Sequence, residues 1–349
     1  MVGAGASLLQ SSYYKFNLDF LDTAYGEWTK VFPTIRPYYA VKCNPNEHIV
    51  KRLAQLGAAF DCASPAEIDL VLSLGVDLKD VLYANPCKRP CDIRYAQSLG
   101  VKRTTFDSVC ELQKIALDAP DMEVIMRIKA DDPSATCPLG NKYGADIEEW
   151  NLLLTTVNRL GLKLVGISFH VGSGAQTESA YIDGAKKANV AAKMAIQMGM
   201  KPTLIDIGGG FTYGKIPSGL SSTVTDHLEG FEVIAEPGRY FAEHVATLFT
   251  PVIGYKNGSV TIDESLYGAF NCRIFDHANP KPIVHAEGPL TPKTLFGCTC
   301  DGFDVIYQSI DLPELKVGDV LEWPMMGAYT MAATTRFNGI PFNDRAIKI

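Results

Sequence analysis

From Pro37 to Tyr240 the chain repeats one alternation: a short apolar, β-rich run, then an amphipathic stretch with helical spacing. "PYYAV" is followed by "NEHIVKRLAQLG", "AAFDCA" by "SPAEIDLVLSLGV", "DVLYAN" by "CDIRYAQSLGV" and "RTTFD" by "SVCELQKIALDA". "EVIMRIKA" leads, after a loop, to "DIEEWNLLLTTVNRLG", and "KLVGISFHV" to "SAYIDGAKKANVAAKMAIQMG". "PTLIDIGGGF" precedes the weaker helical stretch "SSTVTDHLEG", and "FEVIAEPGRY" is the eighth strand-like run. Eight such units over roughly 200 residues predict a (β/α)8 barrel; a doubly wound sheet is the second choice, since it rarely needs eight strands.

After Tyr240 the helical periodicity fades. "HVATLFTPVIGYK", "GSVTIDE", "KTLFGCTC" and "DVLEWPMM" are short β-type runs punctuated by Gly and Pro. They predict an all-β domain of about 100 residues. We therefore expect a barrel over residues 18–243 and a β-domain built from residues 1–17 and 244–349.

The formal net charge of −7 argues against nucleic acid or an anionic membrane surface as a partner and suits a cationic small molecule. Nine cysteines in no regular framework predict reduced thiols and a cytoplasmic setting. The opening "MVGAGASLLQ" lacks a basic segment and is too short for a signal peptide, and no apolar run reaches membrane-spanning length.

In a barrel of this kind, chemistry sits at the C-terminal ends of the strands. At those ends the sequence places Lys42, Asp61, Arg127, His170, Gly208-Gly209-Gly210, and Glu236 with Arg239. Each has an ordinary explanation alone: a solvated lysine, a core histidine, a glycine turn, a strand-end ion pair. Their recurrence at successive strand ends does not. One lysine, one carboxylate, one imidazole and a glycine-rich phosphate cradle suit a Schiff-base lysine carrying pyridoxal phosphate. The carboxylate keeps the pyridine nitrogen protonated, and the glycines let backbone N–H groups approach the phosphate. No metal is needed, and the sequence holds no HExxH or paired CxxC motif.

The segments "YYAVKCN", "FDCASPAEI", "LYANPCK", "GISFHVGSG", "DIGGGF", "AEPGRYF", "LYGAFNC", "FDHA", "CTCDGFD" and "MGAYT" together resemble the eukaryotic-type ornithine decarboxylases. The resemblance runs from about Tyr13 to the last residues. It implies a fold-type III enzyme with a barrel of alanine-racemase type and a C-terminal β-domain. It implies pyridoxal 5′-phosphate attached at Lys42, Glu236 at the pyridine nitrogen, and His170 against the ring. Ser173, Gly209, Gly210, Gly238, Arg239 and Tyr329 would hold the phosphate. Asp61 and Arg127 would support the lysine and the cofactor face, with Glu67 behind them.

The resemblance also implies a homodimer with shared active sites. The neighbouring chain would contribute Cys300, which returns a proton to the α-carbon, and Asp276 and Asp301, which bind the distal ammonium of a basic amino acid. Tyr267 and Phe337 would line that pocket. Lys142 and Asp304 would pair across the interface, and an antizyme-type inhibitor is a further family partner. Phe275 departs from the Tyr or His common before the substrate aspartate, so lysine joins ornithine as a candidate substrate. A catalytically inactive regulatory homologue and a racemase are the other classes the family and its fold allow. The standing catalytic residues oppose the first; a cysteine and an acid in "CTCDG", where a racemase needs a second base, oppose the other.

Overall fold

A computed structural model describes residues 11–130, 132, 134–137, 140, 142–175, 177–216 and 219–349. The opening ten residues, on which the absence of a leader was read, lie outside the described residues.

The chain enters through β1 (Tyr13–Phe16) and α1 (Asp19–Val31). The repeat follows: β2 (Arg36–Ala40), α2 (Glu47–Leu56), β3 (Ala59–Cys62), α3 (Pro65–Ser73), β4 (Val81–Tyr83), α4 (Pro90–Leu99), β5 (Arg103–Phe106) and α5 (Val109–Asp118). It continues through β6 (Glu123–Arg127), α6 (Trp150–Leu160), β7 (Lys163–Ser168), α7 (Glu178–Gln197), β8 (Leu204–Asp206), α8 (Leu220–His227) and β9 (Glu232–Ala235). Strands β2 to β9 pair in parallel and close when β2 meets β9, through Arg36 beside Ile234 and Pro37 beside Ala235. The predicted barrel is therefore the observed fold.

Local chemistry explains the boundaries. Asn46 caps α2 by accepting from the His48 N–H at 3.0 Å, and Gly57 ends that helix in the left-handed region at φ 102°. Ser64 and Ser108 cap α3 and α5 in the same way. Tyr38, Ala59, Leu82, Ile125, Val165, Leu204 and Ile234 form one buried cluster drawn from seven barrel strands. At Gly166 a Cβ would come within 2.7 Å of the Leu204 carbonyl, so glycine permits the approach of β7 to β8. Behind the barrel wall, Trp28 donates to the Ile35 carbonyl and packs edge-on against Phe211 and Tyr240.

By internal contacts the barrel unit runs from Leu21 to Phe241. The other unit comprises residues 11–20 together with Ala242–Ile349. After α9 (Arg239–Ala242) its elements are β10 (Ala246–Lys256), β11 (Ser259–Ile262), α10 (Cys272–Phe275), β12 (Ile283–Val284), β13 (Thr291–Phe296), β14 (Val305–Leu312), β15 (Val320–Trp323) and β16 (Ala346–Lys348). The sheet order is β12-β15-β10-β11-β13-β14, with β1 paired to both β10 and β16. Two ends of the chain thus complete one sheet. Among the described residues no helix is long and apolar enough to cross a membrane.

Candidate active site

The barrel unit gathers its polar residues where the sequence predicts, beyond the C-terminal ends of the strands. Lys42 lies in a single helical turn directly after β2, and Asp61 is the third residue of β3. The Lys42 ammonium is bonded to Asp61 Oδ2, and Asp61 is fully buried with Oδ1 facing no donor. Behind them Glu67, in the first turn of α3, accepts from the Ala63 N–H at 2.6 Å; burial raises its pKa more than that bond lowers it. Arg127 ends β6 with its guanidinium 5.2 Å from the Tyr143 ring centre.

His170 follows β7. Its Nδ1 accepts from the Gly172 N–H at 2.9 Å, so the neutral ring carries its proton on Nε2. Burial lowers its pKa well below the usual histidine value, and the Arg127 and Lys42 cations lower it further. His170 is therefore neutral at physiological pH.

The glycine run follows β8. Gly208 has φ 67°, and a Cβ there would lie 2.2 Å from the Phe169 carbonyl oxygen. A Cβ on Gly209 would meet the Glu236 carbonyl at 2.7 Å and His170 Nε2 at 2.9 Å. Gly210 has φ 98°, and a Cβ on Gly238 would lie 2.9 Å from Cys43 Cβ. Side chains at these positions would fill a cradle bounded by backbone. At its edge Arg239 donates to Ser173 Oγ at 3.1 Å.

Glu236 follows β9, buried, and burial raises its pKa well above the carboxylate norm, reinforced by Asp206 and Asp61. Asp206, absent from the sequence-level candidates, is the last residue of β8 and fully buried. Its Oδ1 accepts from the Gly208 N–H at 2.8 Å. A second unanticipated carboxylate, Asp107 after β5, accepts from the Gly144 N–H at 2.9 Å and faces the Arg127 charge. Both close apolar strand runs, and that position was the available signal.

The β-unit brings together a second group. The Tyr267 hydroxyl donates to Asp301, and the Tyr267 ring stacks on Phe337 with centres 4.2 Å apart. Hydrogen bonds from the Phe303 N–H and then the Tyr267 hydroxyl lower the Asp301 pKa. The exposed Cys300 donates its backbone N–H to Asn338 Oδ1 at 2.8 Å. Asn338, in the left-handed region at φ 57°, was not a sequence candidate. Asp276 is 6% exposed and its neighbour Phe275 71%, so the two side chains occupy different surroundings in the single chain. Tyr329 lies in the segment after β15 with φ 53°.

Asp304 is only 1% exposed, and its carboxylate accepts from Ser265 Oγ, the Leu266 N–H, and the Thr299 N–H and hydroxyl. Gly297 leaves room for this: a Cβ there would lie 2.2 Å from Asp304 Oδ2. Four donors of its own unit thus hold the Asp304 carboxylate in place.

Comparison with known proteins agrees with this chemistry. Residues 18–243 match the family model described as pyridoxal-dependent decarboxylase, pyridoxal binding domain, and residues 175–327 match the C-terminal sheet domain of the same family. The chain is 41% identical to the chloroplastic ornithine decarboxylase of Nicotiana glauca, over 96% of this chain and 82% of that protein. It is 40% identical to antizyme inhibitor 2 of Xenopus laevis, over 89% of this chain and 75% of that protein. Among solved structures, the arginine decarboxylase of Paramecium bursaria Chlorella virus bound to agmatine superposes with a TM-score of 0.92 at 38% identity, covering 97% of this chain and 95% of that one. The chain belongs to the pyridoxal-dependent decarboxylase family, and pyridoxal phosphate is its cofactor. The site's own features fit that group. The glycine cradle has room for a phosphate against backbone, and the buried carboxylates include oxygens that face no donor.

Proposed function

We propose that this member of the family decarboxylates L-ornithine to putrescine and carbon dioxide, as a homodimer in polyamine biosynthesis. The observation that carries the proposal is the grouping of Lys42–Asp61, neutral His170, the glycine cradle and Glu236 at one end of the barrel. Bound there, pyridoxal phosphate draws off the electron pair left on the α-carbon as carbon dioxide departs. Lys42 would hold the cofactor through its ε-amine, with Asp61 and Arg127 positioning that amine and Glu67 fixing the turn behind it. Glu236 would face the ring nitrogen and stabilise its proton. His170, oriented by the Gly172 N–H, would lie against the ring without adding charge. Gly209, Gly210, Gly238, Ser173, Arg239 and Tyr329 would hold the phosphate.

The β-unit group suits the other end of the substrate. Asp301, a carboxylate oriented by Tyr267, and Asp276 would bind a distal ammonium, a task two anions perform well only when a cation sits between them. Tyr267 and Phe337 would wall the methylene chain, and Cys300 would return a proton to the α-carbon. In the dimer this group comes from the neighbouring chain.

A second reading rests on Phe275, whose exposed ring offers apolar contact where a polar ring is usual. It makes lysine a secondary substrate, since one methylene is worth only about 1–3 kcal/mol in a pocket. The likeness to an antizyme inhibitor favours a non-catalytic role, against which stand Lys42, Asp61, Arg127, His170, Glu236 and Cys300. One assay separates these. Loaded protein is offered ornithine, lysine and arginine, and the amines formed are quantified. Putrescine as the main product supports the proposal. Agmatine or cadaverine as the main product reassigns the substrate, and no amine from any of the three overturns catalysis.

A further inference from the structure

Asp206 and Glu236 present an arrangement that ionised carboxylates alone do not satisfy. Asp206 is fully buried at the end of β8, and its Oδ1 takes the Gly208 N–H. Its Oδ2 is buried and faces no donor. The carboxyl of Glu236, itself an acceptor when ionised, also lies within hydrogen-bonding reach of Asp206. Two acceptors in contact are satisfied only if one of them carries a proton.

Charge balance agrees. The titratable groups facing the pair are Asp61, Lys42 and Arg127, with His170 beside them neutral. Two cations against three carboxylates leave an excess negative charge if all three ionise, and one retained proton removes it. Burial raises both carboxyls: Asp206 is pushed up to about 7 although the Gly208 N–H and its hydrogen bond with Glu236 act the other way, and Glu236 is raised well above the norm by burial and then by the Asp206 and Asp61 charges.

We propose that Asp206 is a positioning residue that holds one proton jointly with Glu236 in the empty site, and that the pair passes this proton to the ring nitrogen when the cofactor enters. The O–H bond of the carboxylic acid breaks, an N–H bond forms on the nitrogen lone pair, and no electrons are exchanged. The third carboxylate then balances the new ring cation. The same residue holds Gly208, so it ties the phosphate cradle to the ring-nitrogen contact. This inference rests on the proposed placement of Glu236 at the ring nitrogen.

Infrared difference spectroscopy tests it without turnover. The probe is pyridoxine 5′-phosphate, which lacks the aldehyde and cannot bond to Lys42. Near pH 8, adding it to cofactor-free wild-type protein should abolish one carboxylic-acid carbonyl band. In Asp206→Asn, which still accepts the Gly208 N–H, the probe should bind but no such band should be lost. Glu236→Gln should likewise lose the signal, as an independent check should Asp206→Asn fail to fold. A band lost equally in Asp206→Asn, or no band lost in wild type despite saturable binding, overturns the proposal. Absence of any probe binding to wild type would instead count against the cofactor site itself.

Discussion

Lys42 is tied to one oxygen of Asp61 while the other oxygen faces no donor, so among the described residues the lysine is the one cation paired with this buried carboxylate. Lys42→Ala therefore does two things. It removes the amine that would bind the cofactor, and turnover should fall at least about 10³-fold, with borohydride no longer fixing pyridoxal phosphate to the protein. It also strands Asp61, which must take up a proton or remain an unpaired buried charge. Borohydride fixation at a different lysine would remove Lys42 from its role. Sequence found Lys42, Asp61 and Glu236 because a charge closing an apolar strand is conspicuous. Asp206 closes an equally apolar run, but the three glycines that follow it carry the stronger local signal, that of a phosphate turn. A contact between two acids from strands β8 and β9 is a matter of three-dimensional proximity, which spacing along the chain does not express.

At the scale of elements, the loop from β8 depends on Gly208, where φ is 67° and a Cβ would sit 2.2 Å from the Phe169 carbonyl. Gly208→Ala should lower stability by about 1–3 kcal/mol from the left-handed backbone alone, with the backbone collision adding to it. Thermal unfolding measures this, and an unchanged midpoint would show that the loop has another conformation available. In the β-unit, Glu264, two residues after β11, pairs with Arg345 at 3.3 Å and accepts the Ser265 and Ala269 N–H groups. Burial outweighs all three, and its pKa rises to about 7. The folded state then keeps a proton that the unfolded chain releases near pH 4.5, so this group's stabilisation is full below that pH and declines as pH rises to 7. The loss is on the order of 3 kcal/mol. Glu264→Gln keeps an acceptor for both N–H groups and should flatten the decline in urea unfolding between pH 5 and 8; an unaltered slope would contradict the assignment. The eight barrel strands were legible because each is short, apolar and bounded by a helix signal. β14 was not, since bulges facing it in β13 break its inward alternation into an irregular pattern. Residues 1–17 were assigned to the β-domain, but the pairing of β1 with β10 and β16 was not legible because it joins segments far apart along the chain.

At the scale of the whole molecule, the acidic balance of the chain fits a site that receives a cationic amino acid. The division of labour is the central claim: a barrel that carries the cofactor, and a β-unit from a neighbouring chain that presents Asp276, Asp301 and Cys300. Each half alone is inert under this account. Lys42→Ala and Cys300→Ala proteins should each be inactive, and mixing them after dissociation tests the claim most directly. Random reassociation makes about half of the dimers mixed, and each mixed dimer carries one site with both residues intact. Decarboxylation of ornithine should then recover to about a quarter of the wild-type rate. No recovery, with subunit exchange demonstrated by differently tagged chains, would contradict the account and place both residues in a site of one chain.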